Sequence, residues 1–331
     1  MTQKMNEEIL TKKFQQALEK IRSAKNILVA THIRPDGDGL ASMCALSLLL
    51  DKLGKNYHLF CADQAPEHFS FLPNFKKITS KKKFNFFSFD LIIIVDCSAL
   101  TRTGLADEIV QKKSNQTILE FDHHPPTDNY SDLEIRLPQH SSAAEIIYLF
   151  FTVNNIQIGQ KAANCLLAGI MTDTGNLLFS SVNEETVKIS SALLLRGAAM
   201  PKIIKRNNEG KSVAAMKIIG RALEKLYINE KYDLVCSVFT YEEVVELKKE
   251  FGEDSAFDAI SDIITNLDGI KGSLFLREEE KGVVRGSLRS KLPEINVALL
   301  AEKLGGGGHK KAAAFRLNGS IIKTETGWEI I

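Results

Sequence analysis

The sequence has few of the features that mark secreted or membrane-spanning proteins. None of its apolar runs approaches the roughly 18 residues that a helix needs to cross a bilayer. Residues 1–13 mix lysine and glutamate with few apolar side chains, so they lack the hydrophobic core of a signal peptide. The five cysteines show neither the paired spacing of a metal site nor an even number for a disulfide framework. We therefore expect a cytoplasmic protein that does not contact a membrane, with cysteines that fill small core positions.

The chain also lacks a large net charge of either sign. Its 42 lysine and arginine residues almost balance its 41 aspartate and glutamate residues. A surface that binds long duplex nucleic acid normally makes a domain strongly basic. The balance argues against such a surface, and any nucleic-acid substrate is expected to be short.

The first half of the chain alternates short apolar runs with amphipathic helical patterns. The runs typical of strands are residues 26–30, 57–61, 91–95 and 117–121. The helical patterns are residues 40–53, 143–153, 160–171 and 184–195. This alternation predicts an α/β fold with a parallel sheet covered by helices on both faces.

The second half of the chain has a different order of elements. Residues 197–230 show a helical, charge-rich pattern with little strand signal, and residues 231–331 mix helices with antiparallel strands. We therefore predict a parallel-sheet domain over residues 1–196, a helical linker over residues 197–230 and a smaller α+β domain over residues 231–331. The active site is expected in the cleft between the two domains.

Acidic and histidine side chains occur where the predicted strands and one helix end. In chain order they are His32, Asp36, Asp38, Asp96, Asp122, His123, His124 and Asp173. Ligands of open α/β sheets bind beyond the carboxyl ends of the strands, so these side chains are expected to meet at one place. Simpler roles stay open, because aspartate beside glycine commonly caps a helix and an isolated Asp-His-His triplet also fits a polar loop.

The charge of this cluster indicates bound cations. Asp36, Asp38, Asp96 and Asp173 would repel one another, and an unpaired buried carboxylate is costly. Two divalent ions would neutralise the four charges. Mixed imidazole and carboxylate ligands suit Mn²⁺, with Mg²⁺, Co²⁺ or Zn²⁺ as alternatives. Since paired ions activate water and neutralise phosphoryl oxygens, the cluster predicts hydrolysis of phosphate esters.

The order and spacing of these motifs resemble those of the DHH phosphoesterase superfamily. The motifs are His32-x-x-x-Asp36-x-Asp38, Asp96, Asp122-His123-His124 and Asp173-Thr174-Gly175. The resemblance implies that one metal ion is bound by His32, Asp36 and Asp96. It implies that the other is bound by Asp38, Asp96, His123 and Asp173, so that Asp96 bridges the two. The catalytic pair would be Asp122, as an orienting group, and His124, which would contact phosphate and assist the leaving oxygen.

A glycine-rich segment, residues 305–308, precedes His309, Lys310 and Lys311 near the C-terminal end. On its own this segment also fits a flexible hairpin. Together with residues 286–290, Gly-Ser-Leu-Arg-Ser, it resembles the substrate-binding motif of the DHH-associated domain. The resemblance implies that the terminal phosphate or nucleotide of the substrate is held by Arg289, Ser290, Gly307, Gly308 and His309.

Within the superfamily, a two-domain chain of this size resembles the bacterial oligoribonuclease and 3′,5′-bisphosphate nucleotidase type. This type implies hydrolysis of very short single-stranded RNA to nucleoside 5′-monophosphates and removal of the 3′-phosphate of adenosine 3′,5′-bisphosphate. Cleavage of linear or cyclic diadenylate is the alternative activity. A noncatalytic nucleotide-binding regulator is the alternative of a different class, and a homodimer stays open.

Overall fold

The computed structural model describes residues 2–126, 128–179, 181–208, 212–252, 256–265, 267–292, 294–325 and 327–331. Among these residues, the side chains of residues 2–6, 207, 208, 258, 259, 262 and 309 are outside the description. The chain divides into two units, Met1–Gly210 and Lys211–Ile331. Two helices lie within the predicted linker, and one belongs to each unit.

The apolar runs of the first unit form one parallel sheet. Its strands are β1 (Asn26–Ala30), β2 (Asn56–Phe60), β3 (Ile78–Thr79), β4 (Leu91–Val95), β5 (Thr117–Asp122) and β6 (Leu133–Arg136). They pair in the order β3-β2-β1-β4-β5-β6, and every pair is parallel. All five residues of β4 are buried, as expected for a strand with both faces of its sheet covered. The predicted α/β class with a parallel sheet is confirmed.

Helices cover this sheet. They are α1 (Thr2–Ser23), α2 (Gly37–Lys52), α3 (Ala106–Val110), α4 (Ala143–Val153), α5 (Gln160–Asp173), α6 (Glu184–Leu195) and α7 (Met200–Asn208). The sequence analysis did not predict α1, in which eight of the 22 residues are charged. Nevertheless Phe14, Ala17, Leu18 and Ile21 recur at helical spacing and are buried in the core of the unit.

The second unit is built on a mixed sheet. Its helices are α8 (Val213–Glu224), α9 (Tyr241–Phe251), α10 (Ala256–Thr265) and α11 (Val297–Lys303). Its strands are β7 (Tyr227–Asn229), β8 (Leu234–Phe239), β9 (Gly272–Glu280), β10 (Val283–Ser290), β11 (Gly307–His309), β12 (Ala312–Asn318), β13 (Ile321–Thr324) and β14 (Gly327–Ile330). The sheet order is β11-β12-β10-β9-β8-β7, with only β8 and β9 parallel, and β13 and β14 form a separate hairpin. The predicted smaller α+β domain is confirmed, although β7, β11 and the hairpin were not predicted.

The described helices include none that is both long and apolar enough to cross a membrane.

Helix α5 packs closely against α2 and α4 at Gly169. A Cβ atom on this glycine would lie 2.6 Å from both the Cβ atom of Ala144 and the Oδ1 atom of Asp38. Ala144 belongs to α4 and Asp38 to α2. The close approach of α5 to both helices therefore requires a residue without a side chain at position 169.

We expect Gly169→Ala to destabilise the protein, because the added methyl group must displace Ala144 or the Asp38 carboxylate. Overpacking of this kind typically costs about 1–3 kcal/mol. Thermal or chemical unfolding would measure the loss. The control is Gly220→Ala in α8, where an added Cβ meets nothing within 4 Å. That change should stabilise the helix by up to about 1 kcal/mol. Equal stability of both variants would contradict the close packing at Gly169.

Candidate active site

Three neighbouring parallel strands, β1, β4 and β5, end at the same edge of the first sheet. Residues at these ends or directly beyond them are His32, Asp36, Asp38, Asp96, Asp122, His123 and His124. Asp173 is the last residue of α5. The first seven residues reach this edge because parallel strands share their direction, whereas the end of α5 brings Asp173 within 3.3 Å of His123.

Asp36 caps a helix and also faces a histidine. Its Oδ1 atom accepts hydrogen bonds from the backbone amides of Asp38 and Gly39, at 3.0 and 3.2 Å, at the start of α2. Its Oδ2 atom lies 3.5 Å from Nε2 of His32. The capping role and the ligand role considered from the sequence therefore use different oxygens of the same carboxylate.

Asp38 is held by the start of another helix. Its Oδ2 and Oδ1 atoms accept hydrogen bonds from the backbone amides of Ala143 and Ala144, at 2.5 and 3.0 Å, in the first turn of α4. The positive end of the helix dipole thus faces a carboxylate. Burial and the negative charges of Asp96 and Asp173 raise the pKa of Asp38 well above its usual range.

Asp96 occupies the middle of the cluster. Its backbone is in the left-handed region at φ 54°, an uncommon conformation that is often found at functional sites. Its Oδ2 atom lies 3.7 Å from Nε2 of His32, and its Oδ1 atom lies 3.3 Å from Nε2 of His123. The Oδ1 atom is buried, and although ring nitrogens of His123 and His124 lie 3.3 and 3.6 Å from it, neither contact has hydrogen-bond geometry. A buried carboxylate oxygen without a hydrogen-bond donor is able to bind a cation.

The two histidines nearest Asp96 face carboxylates. Nε2 of His123 lies 3.3 Å from Oδ2 of Asp173. Burial acts to lower the pKa of His123, but the charges of Asp173 and Asp96 raise it well above its usual range. For His32, burial again lowers the pKa, whereas Asp36 and Asp96 raise it, and the result is about 9. Nδ1 of His32 lies 2.7 Å from the carbonyl oxygen of Ile33. In the neutral ring this contact leaves the lone pair on Nε2, toward the carboxylates.

The donor atoms form three overlapping groups that are able to hold a metal ion. Within each group, one ligand atom from every residue lies within 4.8 Å of the others. The groups are His32-Asp36-Asp96, Asp38-His123-Asp173 and Asp96-His123-His124. Carboxylate and imidazole donors around a shared, under-coordinated aspartate fit divalent cations. The chemistry of the donor set is therefore consistent with a pair of such ions.

Asp122 is saturated by hydrogen-bond donors. Its Oδ1 atom accepts from the backbone amide of His124 at 3.1 Å and from Nδ1 of the same histidine at 2.8 Å. Its Oδ2 atom accepts from the backbone amide of Ser98 at 2.9 Å and from Nη1 of Arg136 at 2.7 Å. The contacts through Oδ1 hold both the backbone and the ring of His124 against Asp122.

Two arginines at this edge were missed by the sequence analysis. Arg136, on the unpredicted strand β6, is buried and also binds Glu120 through Nη2 at 2.6 Å. Nη2 of Arg102 lies 3.1 Å from Nδ1 of His32, and its Nη1 atom lies 3.4 Å from Oγ of Ser98. The alternation of residues 133–136 was the available signal for β6. For Arg102, the signal was its place in the loop that follows Asp96.

Two of the predicted substrate-binding residues of the second unit lie on strands that flank β12. Arg289 on β10 and residue 309 on β11 both pair with Ala312 of β12. Two steps of about 4.8 Å therefore separate their backbones across the sheet. Nη1 of Arg289 donates to the carbonyl oxygen of Leu288 at 3.1 Å. The side chain of His309 lies outside the described residues, so the sheet register gives only its backbone position.

Of the other predicted residues of this motif, Ser290 and Gly308 have local structural roles, whereas Gly307 has none. Oγ of Ser290 donates to the carbonyl oxygen of Leu292 and accepts from its amide, both at 3.2 Å. Gly307 is exposed, and a Cβ atom there would meet nothing within 4 Å. Gly308 has φ 145°, and a Cβ atom there would lie 2.5 Å from the carbonyl oxygen of Ala312. Glycine is therefore required at position 308 for β11 to pair with β12.

Two family models match the chain. The first, described as the DHH family N-terminal domain, matches residues 26–170. The second, the DHHA1 domain, matches residues 239–325. The first match begins at β1 and ends within α5, and the second lies entirely within the second unit.

Curated relatives and a solved structure resemble most of the chain. The protein from Bacillus subtilis named bifunctional oligoribonuclease and PAP phosphatase NrnA is 27% identical over 87% of this chain and 88% of its own length. The protein of the same name from Thermus thermophilus is 26% identical over 88% of this chain and 84% of its own. The crystal structure of an exopolyphosphatase-related protein from Bacteroides fragilis shares the fold. Its superposition on this chain has a TM-score of 0.81 with 24% sequence identity. It covers 92% of this chain and 90% of the Bacteroides fragilis chain.

Proposed function

Because the chain belongs to the DHH family and carries a DHHA1 domain, we propose that it is a phosphoesterase of very short RNA and nucleotide bisphosphates. It hydrolyses RNA oligomers of a few nucleotides to nucleoside 5′-monophosphates and removes the 3′-phosphate of adenosine 3′,5′-bisphosphate. The names of its relatives from Bacillus subtilis and Thermus thermophilus support both activities. Both reactions break a bond between phosphorus and a 3′ oxygen, so one arrangement of groups serves them.

The observation that carries this proposal is the position of Asp96 between the other donors. Its two oxygens face His32 on one side and His123 on the other. We propose that His32, Asp36 and Asp96 hold one divalent ion, and that Asp38, Asp96, His123 and Asp173 hold a second. Mn²⁺ is the ion that this mixed donor set favours, with Mg²⁺ or Co²⁺ as alternatives. Such paired ions supply an activated water and neutralise charge on phosphoryl oxygens.

The protein's own residues then act on the phosphate. His124 contacts a phosphate oxygen and assists the leaving 3′ oxygen by donating a proton, while Asp122 holds its ring in place through Nδ1. The guanidinium of Arg102, beside His32, is a further cation at this edge of the sheet. Arginine donors bind nonbridging phosphate oxygens well, and this contact would add charge stabilisation.

The second unit supplies the grip on the nucleotide. We propose that Arg289, Ser290, Gly307, Gly308 and His309 hold the terminal phosphate or nucleotide of the substrate. The register that aligns positions 289 and 309 across β12 supports this assignment. A substrate held at its end in this way presents only the neighbouring phosphate for hydrolysis, which favours very short chains. The activity requires neither a membrane nor long duplex nucleic acid.

The activity is tested by offering the purified protein a panel of substrates with Mn²⁺. The panel contains adenosine 3′,5′-bisphosphate, RNA of two to five nucleotides, linear and cyclic diadenylate, and pyrophosphate. We expect turnover of the bisphosphate and the short RNA, measured as released phosphate and nucleoside 5′-monophosphate. A clear preference for diadenylate would assign the alternative activity. Nucleotide binding without turnover of any substrate would indicate a regulator.

We expect Asp96→Ala to abolish activity by removing the carboxylate that we propose both metal ions share, since its two oxygens face His32 and His123. The rate should fall by about 10³-fold or more, equivalent to about 4 kcal/mol of transition-state stabilisation. Calorimetric titration with Mn²⁺ should show weakened binding at both sites. The control is Asp107→Ala on α3, an exposed aspartate of the same unit. Unchanged metal binding in Asp96→Ala would refute the shared-ligand role.

We expect Arg289→Ala to weaken substrate binding without loss of metal. Removing one charge-assisted contact to phosphate should raise KM about 10- to 100-fold, with a smaller effect on kcat. Steady-state kinetics and Mn²⁺ titration would separate the two properties. Arg285→Ala, on the same strand β10, is the matched control. Loss of Mn²⁺ binding in Arg289→Ala would contradict the division of roles between the two units.

A further inference from the structure

A strained turn directly follows Asp173. Gly175, Asn176 and Leu177 have φ angles of 55°, 63° and 67°, so three consecutive residues are in the left-handed region. Glycine and asparagine tolerate this region, but leucine is disfavoured there by its Cβ atom. The amide oxygen of Asn176 is also buried and accepts no hydrogen bond from the described residues. Costly backbone conformations of this kind cluster at ligand-binding positions.

Thr174 holds the turn in this conformation. Its carbonyl oxygen accepts hydrogen bonds from the amides of Leu178 and Phe179, both at 2.9 Å. Its hydroxyl donates to the carbonyl oxygen of Ile170 at 2.6 Å and accepts from the amide of Leu177 at 3.0 Å. Since Thr174 is fully buried, these contacts are shielded from water. The turn is therefore a fixed extension of the end of α5.

The turn presents two apolar side chains to solvent. Leu178 is 77% exposed and Phe179 is 36% exposed. The ring of Phe179 lies against Gly175, because a Cβ atom there would come within 3 Å of three ring atoms. Any side chain at position 175 would displace the ring of Phe179. This ring is six residues from Asp173, whose carboxylate lies 3.3 Å from Nε2 of His123.

We infer that Leu178 and Phe179 form a nucleobase-binding subsite beside the phosphoester site, with the Phe179 ring as the stacking surface. The inference deepens the proposed function, because the base belongs to a nucleotide whose phosphate lies at the carboxylate and histidine cluster. Aromatic side chains bind bases by stacking and accept any base, since every base has a π face. A rigid support reduces the conformational freedom that the ring loses on binding.

The position of these side chains favours a base over a protein partner. Two adjacent apolar side chains are a much smaller surface than a protein interface requires. They come five and six residues after Asp173, and the Phe179 ring packs on Gly175, two residues beyond this member of the candidate metal cluster, where a nucleotide phosphate is expected. A base attached to that phosphate through its sugar presents a planar π face, which can stack on the ring of Phe179.

The test compares binding of AMP with binding of ribose 5-phosphate, which lacks the base. Calorimetric titrations use the full chain with Mn²⁺ bound. We expect Phe179→Leu to raise the Kd for AMP about 10-fold and to leave the Kd for ribose 5-phosphate unchanged. Phe179→Tyr keeps the ring and should bind AMP as the natural protein does. Leu195→Ala, an exposed leucine of α6 in the same unit, is the control and should change neither Kd.

Two results would overturn the inference. One is an unchanged Kd for AMP in Phe179→Leu. The other is an equal loss of AMP and ribose 5-phosphate binding, which would mean that the substitution disturbs the phosphate site. Because the titrations need no turnover, they are independent of the substrate panel. A base-dependent loss in Phe179→Leu alongside no hydrolysis of RNA or bisphosphate would refute the proposed function while supporting the subsite.

Discussion

Mutual repulsion among buried carboxylates is the constraint on which the first unit depends. Asp38 and Asp96 are almost fully buried, and both lie close to Asp173. Backbone amides and histidine side chains of the same unit offset this repulsion. The first amides of α4 face Asp38, the amides at the start of α2 face Asp36, and the histidine rings lie between the acids. A bound cation would neutralise the charge that remains at Asp96.

The location of this cluster was predictable from the sequence because it follows from chain direction. Parallel strands end at one edge, so acidic residues placed directly after β1, β4 and β5 meet there regardless of the loops between them. The apolar runs and helical periodicity likewise predict most elements of both sheets. The helix α1 escaped prediction because its apolar stripe is narrow within a charged sequence.

The supports of the cluster were not predictable in the same way. The contact between α4 and Asp38 joins residues more than a hundred positions apart, and it depends on how α4 packs beside α2. Arg136 reaches Asp122 from β6, a short strand whose alternation is weak. The left-handed turn after Asp173 depends on the hydroxyl and carbonyl of Thr174. Such contacts are fixed by packing, which a local pattern does not encode.

The saturation of Asp122 has a consequence for tracing this architecture through evolution. A carboxylate that accepts four hydrogen bonds cannot be exchanged for an amide without setting two donors against each other. Selection for a folded sheet edge alone would preserve it, even in a descendant that had lost its chemistry. The aspartate of the triplet therefore marks a folded sheet edge and is not by itself a sign of catalysis. The Oδ1 atom of Asp96, by contrast, accepts no hydrogen bond from the described residues, so replacing Asp96 would deprive no backbone amide among them of its acceptor.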